Sequence, residues 1–468
     1  MKRTCSLCLV LIILLLSGCG RHPDFWESAE SGEVSAMPDT LGESGSISYP
    51  VVKSRVNILV DQAGYRPGGR KVAIFCGETG QTQFRVIDRE TENVVFTGRI
   101  EEKGMDQASG EYISYGIFTE LNVEGTYYVE ADGIGRSFPF EIGKEVYGEV
   151  FQKLYGALEQ SSNRWNVEQN GYVLVNLLTA YELYQPVCVY ALAGNQEENQ
   201  AEELPVLLSF VKIQMEKLLN GQMEDGSVGG NQIRDRASAS MLFAGVAGQF
   251  ARVYKEYDAA FAARCQKAAE SAWRFAERDD AGTDESYFAA AQLFRLTGNA
   301  KYRKAITDYL NQEERPEPGS LDMAIYGDVT YLMTEKRVDV ELCRSLMAER
   351  MSEVEGIAEQ SHRSLYQIAG ESASEAENTS GEVGKMLQQM VKLAVIDYVI
   401  TNHEYATVME NHLHYLLGRN PQAVSYLNGL GDSFQTDSRQ DILRSPERSA
   451  QLLFMMSAVI NHEMDGQQ

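Results

Sequence analysis

Between Arg55 and about Ile142, short β-rich runs of apolar residues alternate with turn signals: "VNILVDQ", "KVAIFC", "FRVIDR", "NVVFTGRI", "EYISYGIF", "GTYYVEA" and "RSFPFEI". A period of two puts successive side chains on opposite faces of a strand, so these runs predict a β-sandwich. "GYRPGG" (Gly64 to Gly69) and "ADGIG" (Ala131 to Gly135) supply turn residues between them. No helix pattern follows either one, so neither reads as a phosphate-binding loop.

From Glu145 onward the apolar period lengthens to about 3.6. "SASMLFAGVAGQFARVYKEY" (Ser238 to Tyr257), "AAFAARCQKAAESAWRFAER" (Ala259 to Arg278), "ESYFAAAQLFRLTG" (Glu285 to Gly298) and "GKMLQQMVKLAVIDYVI" (Gly384 to Ile400) are the clearest helices. Caps are expected at Asp258 and Asp284. Eleven or twelve helices are expected between Val146 and His462. No repeat of fixed length appears, which argues against an open solenoid and for a closed ring of helical hairpins. Trp273 sits on the regular apolar face of "AAESAWRFAE" and reads as core.

The amino terminus carries a different signal. Lys2 and Arg3 precede an apolar run from Leu7 to Leu16 that ends in Ser17, Gly18 and Cys19. This predicts a secretory leader over residues 1–19 with Cys19 as the lipid-attachment site of a bacterial lipoprotein. Residues 20–53 are rich in Ser, Glu, Gly and Pro and poor in aliphatic residues, as expected of a flexible tether. A coil of that length would hold the folded part roughly 30 Å from the membrane. The protein is therefore expected to be exported and anchored to the cell envelope through a lipid on Cys19.

Two of the seven cysteines leave with the leader and Cys19 takes the lipid, so Cys76, Cys188, Cys265 and Cys343 remain. They are far apart and lack the paired spacing of a zinc site, so buried free thiols are expected. A net charge of −25, from 67 acidic and 42 basic residues, disfavours nucleic acid as a partner. A neutral polysaccharide would be indifferent to it.

The residues also resemble a known family. "ILVDQAGYRP", "FRVIDRETENVVFTG", "GTYYVEADGIGRSFPFEIG" and "VYGEVFQKLYGAL" are similar to the immunoglobulin-like domain that precedes cellulases of glycoside hydrolase family 9. "LLTAYEL" at Leu177, "DESYFAAAQLFRLTGNAKY" at Asp284, "YGDV" at Tyr326 and "HLHYLLGRNPQAVSYLNGLG" at His412 resemble that family's catalytic domain. The resemblance implies an immunoglobulin-like β-sandwich over 54–144 followed by an all-α (α/α)6 barrel over 145–464. It further implies binding of β-glucan and an inverting mechanism; no cofactor is expected, since the chain has no carboxylate triplet of D-x-D-x-D type. That mechanism needs a base and an acid, two carboxyl groups roughly 6.5 to 9.5 Å apart.

Those carboxyls are not where the resemblance would put them. Counting back from Leu177, the family's aspartate-pair motif falls on Glu159 to Asn163, and the second aspartate becomes Ser162. Glu159, or Glu168 if displaced, is the remaining candidate for the base. The acid position falls on Leu443, flanked by Asp441 and Glu447. Glu447 equally fits an ordinary helix start, with Ser445 as cap and Pro446 at the first position. Trp165, Tyr172 and Tyr326 are candidate sugar platforms, and Arg439 is the candidate remnant of the family's sugar-binding arginine. "GQMEDGSVGG" (Gly221 to Gly230) has glycines where the family's cleft loop has an aromatic and a histidine. His412 and His414 point to different helix faces at their two-residue spacing, and no metal site is expected.

With base, sugar clamp and acid all displaced, the expectation is a pseudoenzyme that binds β-glucan or assists its use. Two alternatives remain: a working inverting endo-β-1,4-glucanase with relocated carboxylates, and a structural or partner-binding lipoprotein with a closed cleft.

Overall fold

The computed structural model describes residues 56–466, apart from 79, 194–203, 230–232, 280, 314–321, 371–378 and 432–438. The expected leader 1–19, its Cys19 and the tether 20–53 lie outside the described residues.

Eight strands come first: β1 (Ile58–Leu59), β2 (Val72–Cys76), β3 (Gln83–Asp88), β4 (Val94–Asp106), β5 (Glu111–Ile117), β6 (Gly125–Ala131), β7 (Gly135–Arg136) and β8 (Phe140–Ile142). All ladders are antiparallel, in the order β1-β2-β5-β4-β3-β6-β7, with β8 also on β6. The long β4 pairs with β3 through its first half and with β5 through its second, so it carries the chain from one sheet to the other. Phe75, Phe84, Val86, Val129 and Phe140 fill the space between the sheets. Gly64 takes φ +126, and a Cβ there would lie 2.2 Å from the carbonyl oxygen of Glu141, so only glycine lets these two segments meet.

The helices are α1 (Val146–Ser161), α2 (Val167–Leu183), α3 (Gln185–Ala193), α4 (Val206–Asn220), α5 (Ile233–Tyr254), α6 (Ala259–Ala276), α7 (Asp284–Thr297), α8 (Ala300–Leu310), α9 (Met323–Leu332), α10 (Val340–Arg363), α11 (Thr379–Ile400), α12 (His403–Leu416) and α13 (Pro446–Gly466). That is thirteen among the described residues, against the eleven or twelve expected. Asp258 caps α6 as expected, accepting from Phe261 N at 2.9 Å. The cap of α7 is Thr283, which accepts from Ser286 N at 3.1 Å, so Asp284 falls one residue inside the helix.

Six of these helices form a closed ring. α2 packs on α5, α5 on α7, α7 on α9, α9 on α11, α11 on α13, and α13 returns to α2. Six more lie outside: α1 on α13, α4 on α2, α6 on α5, α8 on α7, and α10 and α12 on α11, while the short α3 touches α1, α2, α4 and α13. This is an (α/α)6 barrel. Apart from the short α3, inner and outer helices alternate along the chain, so the inner ones run in one direction and their amino termini gather at one end.

The interior is side chains, not lumen. Tyr326 on α9 reaches across to α2 and donates to Asn176 Oδ1 at 2.6 Å. Gln292 donates to Thr330 at 2.9 Å and Gln249 to Thr179 at 3.2 Å. A buried ionic chain ties α9, α10 and α11 together: Arg350 holds Asp328 at 2.6 Å and Glu353 at 2.5 Å, and Lys392 holds Glu353 at 2.5 Å and Asp322 at 2.8 Å. Trp273 is buried with its edge against Tyr302, in keeping with its reading as core.

The sandwich is fused to the barrel. Leu59, Val72, Ile74, Cys76, Ile113 and Tyr115 turn their side chains into the barrel's core cluster, while Ile58, Ala73 and Phe75 face the sandwich core. This is why "VAIFC" is apolar throughout: β2 is buried on both faces. Polar bonds secure the seam, including Tyr115 to the Leu365 carbonyl at 2.6 Å, Gln62 N to the Leu417 carbonyl at 2.9 Å, and Arg66 to Glu410 at 2.9 Å. Cys76, Cys188 and Cys265 are buried, and Cys343 is partly so. Among the described residues no helix is long and apolar enough to cross a membrane.

Candidate functional site

A cavity of about 580 Å³ opens where the amino termini of α2, α11 and α13 meet. From α2 and its cap come Asn166, Glu168, Gln169 and Tyr172; from α11, Gly381, Gly384, Lys385 and Gln388; from α13 and its cap, Ser445, Glu447, Arg448 and Gln451.

Local chemistry fixes where each helix begins. Asn166 accepts from Gln169 N at 2.7 Å while its own N–H donates to Gln169 Oε1 at 3.3 Å, a capping box that starts α2 and leaves Glu168 in its first turn. Ser445 Oγ accepts from Arg448 N at 3.3 Å, Pro446 takes the first helical position, and Glu447 follows. The Ser445 hydroxyl also lies 3.0 Å from Glu447 Oε2 and donates to it. Both acidic side chains therefore sit at the positive end of a helix, where an acidic residue stabilises the helix start. Tyr172, one turn beyond Glu168, donates to Glu285 Oε1 on α7 at 3.1 Å.

Of the four acidic candidates, Glu168 and Glu447 share the cavity wall. Glu159 does not line it; exposed at the end of α1, it accepts from Tyr155 OH at 3.0 Å. Asp441 is also outside the lining and serves as a loop fastener. Its Oδ1 accepts from Leu443 N at 3.2 Å and Asn428 N at 3.3 Å, and its Oδ2 from Asn428 Nδ2 at 3.2 Å. Ser162 is buried in a short 3-10 helix (Ser162–Arg164) and donates to the Glu159 carbonyl at 2.9 Å.

The expected sugar platforms divide in the same way. Tyr172 lines the cavity. Trp165 instead packs edge-on to Phe210 at 6.0 Å and donates to Ser161 Oγ at 3.1 Å, away from the lining. Tyr326 corrects the sequence reading most plainly: it is 1% exposed inside the barrel, with its hydroxyl bound to Asn176, and offers no face to a sugar. α9 stands opposite α2 in the ring, so a large side chain on its inward face fills the barrel axis. Arg439 is exposed on the loop before α13, and its carbonyl accepts from Arg448 Nη1 at 3.3 Å.

The sequence reading passed over Lys385, Gln388, Arg448 and Gln451. The signal that could have found them is polar residues on the first three turns of helices whose amino termini share one end of the ring. Burial pushes the Arg448 guanidinium pKa down, with the neighbouring Glu447 carboxylate pulling the other way.

The two histidines of "HLHYLL" face different partners, as their spacing implies. His412 Nε2 accepts from Ala369 N at 2.9 Å, and its Nδ1–H donates to the Val408 carbonyl at 2.7 Å. His414 Nδ1 meets Asp61 Oδ2 of the sandwich at 2.7 Å. Among the described residues no group of three or more His, Cys, Asp or Glu is placed to hold a metal ion.

Residues 225–455 match the family model of Glycosyl hydrolase family 9, and residues 53–136 match that of the Cellulase N-terminal ig-like domain. The helical domain belongs to glycosyl hydrolase family 9. Endoglucanase D of Acetivibrio thermocellus is 21% identical, over 92% of this chain and 77% of its own. A cellodextrinase of Butyrivibrio fibrisolvens is 22% identical, over 80% of this chain and 85% of its own. Among solved structures, a metagenome-derived family 9 endoglucanase superposes with a TM-score of 0.70 at 21% identity, covering 86% of this chain and 98% of that one. The family 9 match begins at residue 225, so Glu159, Trp165, Glu168 and Tyr172 precede it, whereas Tyr326, Arg439, Asp441 and Glu447 fall within it.

Proposed function

We infer that this family 9 protein is an exported, lipid-anchored β-glucan-binding protein whose hydrolytic chemistry is impaired. The observation that carries the reading is Ser162. It stands where the resemblance puts a base, it is buried, and its hydroxyl proton is already committed to the Glu159 carbonyl. A hydroxyl so placed cannot take a proton from water, and loss of the base removes roughly 100- to 10,000-fold of rate. Affinity electrophoresis in gels containing barley β-glucan or hydroxyethylcellulose tests the reading. Retardation without release of reducing sugar is expected; free migration through every β-glucan gel would overturn it and leave a partner-binding lipoprotein.

A second reading is favoured by one specific observation: Glu168 and Glu447, from the first and last helices of the inner ring, line one cavity. In this reading Glu168 is the base and Glu447 the acid of an inverting β-1,4-glucanase. Reducing-sugar release from a soluble cellulose derivative, lost in both Glu168→Gln and Glu447→Gln, would establish it. Anchoring through Cys19 predicts membrane-fraction recovery of the full chain, with release to the soluble fraction on Cys19→Ala.

A further inference from the structure

We propose that Gln451 is a ligand-positioning residue of the cavity, its side-chain amide bridging vicinal hydroxyls of a bound β-glucan ring. The inference rests on the β-glucan reading above and goes beyond it by naming the group that holds the sugar.

Gln451 lies in the second turn of α13 and lines the cavity, yet it is only 3% exposed. Its Nε2 is buried and has no hydrogen-bond partner among the described residues. Leaving a buried donor unpaired is costly, and interiors satisfy nearly all such groups. Several of its neighbours on the wall are already engaged. Asn166 and Gln169 bond each other, Ser445 caps α13 while donating to Glu447, and Tyr172 donates to Glu285. An amide whose donor is unspent, in a wall where Asn166, Gln169, Ser445 and Tyr172 already hold partners, is poised for something that enters the cavity.

The chemistry of the side chain narrows what that is. A glutamine amide offers donors and an acceptor on one planar end and carries no charge. Its terminal torsion is soft and roughly two-fold, so the donor can swing from its buried position to the cavity side without moving the helix. Neighbouring hydroxyls of a pyranose ring, each able to donate and accept, match that end in spacing and in polarity.

The test is calorimetric titration of the full-length protein with cellohexaose, alongside thermal unfolding of the unliganded protein. Gln451→Met keeps the length and removes both polar atoms; Gln451→Glu keeps the shape and removes the donors. Both variants are expected to weaken cellohexaose binding by roughly 5- to 20-fold. Unliganded Gln451→Met is expected to unfold at the wild-type temperature or above it, because an unsatisfied buried donor has been removed. Wild-type affinity in both variants would overturn the inference while leaving the β-glucan reading intact. A fall of several degrees in the midpoint of Gln451→Met would assign the amide a structural partner and overturn it likewise. Absence of cellohexaose binding by the wild type would overturn both.

Discussion

His412 provides a quantitative test of how the seam between sandwich and barrel responds to acid. Its ring is completely buried, accepts from Ala369 N and donates to the Val408 carbonyl, a pattern that requires the neutral imidazole with its proton on Nδ1. The loop it holds, residues 365–369, also receives the Tyr115 hydroxyl from the sandwich. Burial pushes the His412 pKa from 6.5 down to about 4, partly countered by the Val408 bond. In the unfolded chain the ring titrates near 6.5, so between the two values only the unfolded chain binds the proton. The stability this group contributes is present above about pH 6.5 and is lost as the pH falls toward 4. By proton linkage, the loss at about pH 4.5 relative to about pH 7.5 is close to 2.5 kcal/mol. The perturbation is His412→Gln, which keeps an acceptor and a donor but cannot titrate. Equilibrium urea unfolding followed by tryptophan fluorescence at the two pH values gives the stability change in each protein. Asp61 and His414 are common to both, so their contributions cancel in the comparison. The wild type is expected to lose about 2.5 kcal/mol more than the variant on acidification. Equal losses in the two proteins would refute the argument.

Two further outcomes follow from the barrel interior. Arg350→Met removes the cation that holds Asp328, whose carboxyl is already raised by burial to about 6, and should cost about 3 to 5 kcal/mol in urea unfolding near neutral pH. That cost should shrink below pH 6, where Asp328 takes up a proton; a cost that grows with acid would contradict it. Tyr326→Phe strands the Asn176 carbonyl oxygen in the barrel axis and should cost about 1 to 3 kcal/mol, read as a lower thermal midpoint, with cellohexaose binding unchanged.

How much of this was legible beforehand depends on the range of the interaction concerned. Strand and helix classes follow from the apolar period, because that period is the geometry of the element itself, and the caps at Asp258 and Ser445 follow from local hydrogen-bonding chemistry. Even there, a cap could slip by one residue: threonine and aspartate stand side by side at 283 and 284, both can accept the bond, and Thr283 takes it while the Asp284 carboxylate accepts from the Tyr309 hydroxyl at 2.7 Å. The order of the domains and the resemblance to family 9 were likewise present in the residues.

What the chain could not disclose alone was which distant positions become neighbours. Four acidic residues were candidates on sequence grounds, yet Glu168 and Glu447 line one cavity only because the ring closes by packing its last inner helix against its first. Tyr326 lies in a motif that reads as a sugar platform, but its position opposite α2 turns it into the plug of the barrel axis. The run "KVAIFC" reads in sequence as one strand among seven, and only the fusion of sandwich to barrel shows that the two faces of β2 belong to two different cores. Periodicity is set by a residue and its near neighbours, whereas facing, burial and partnership are set by the closure of the whole ring.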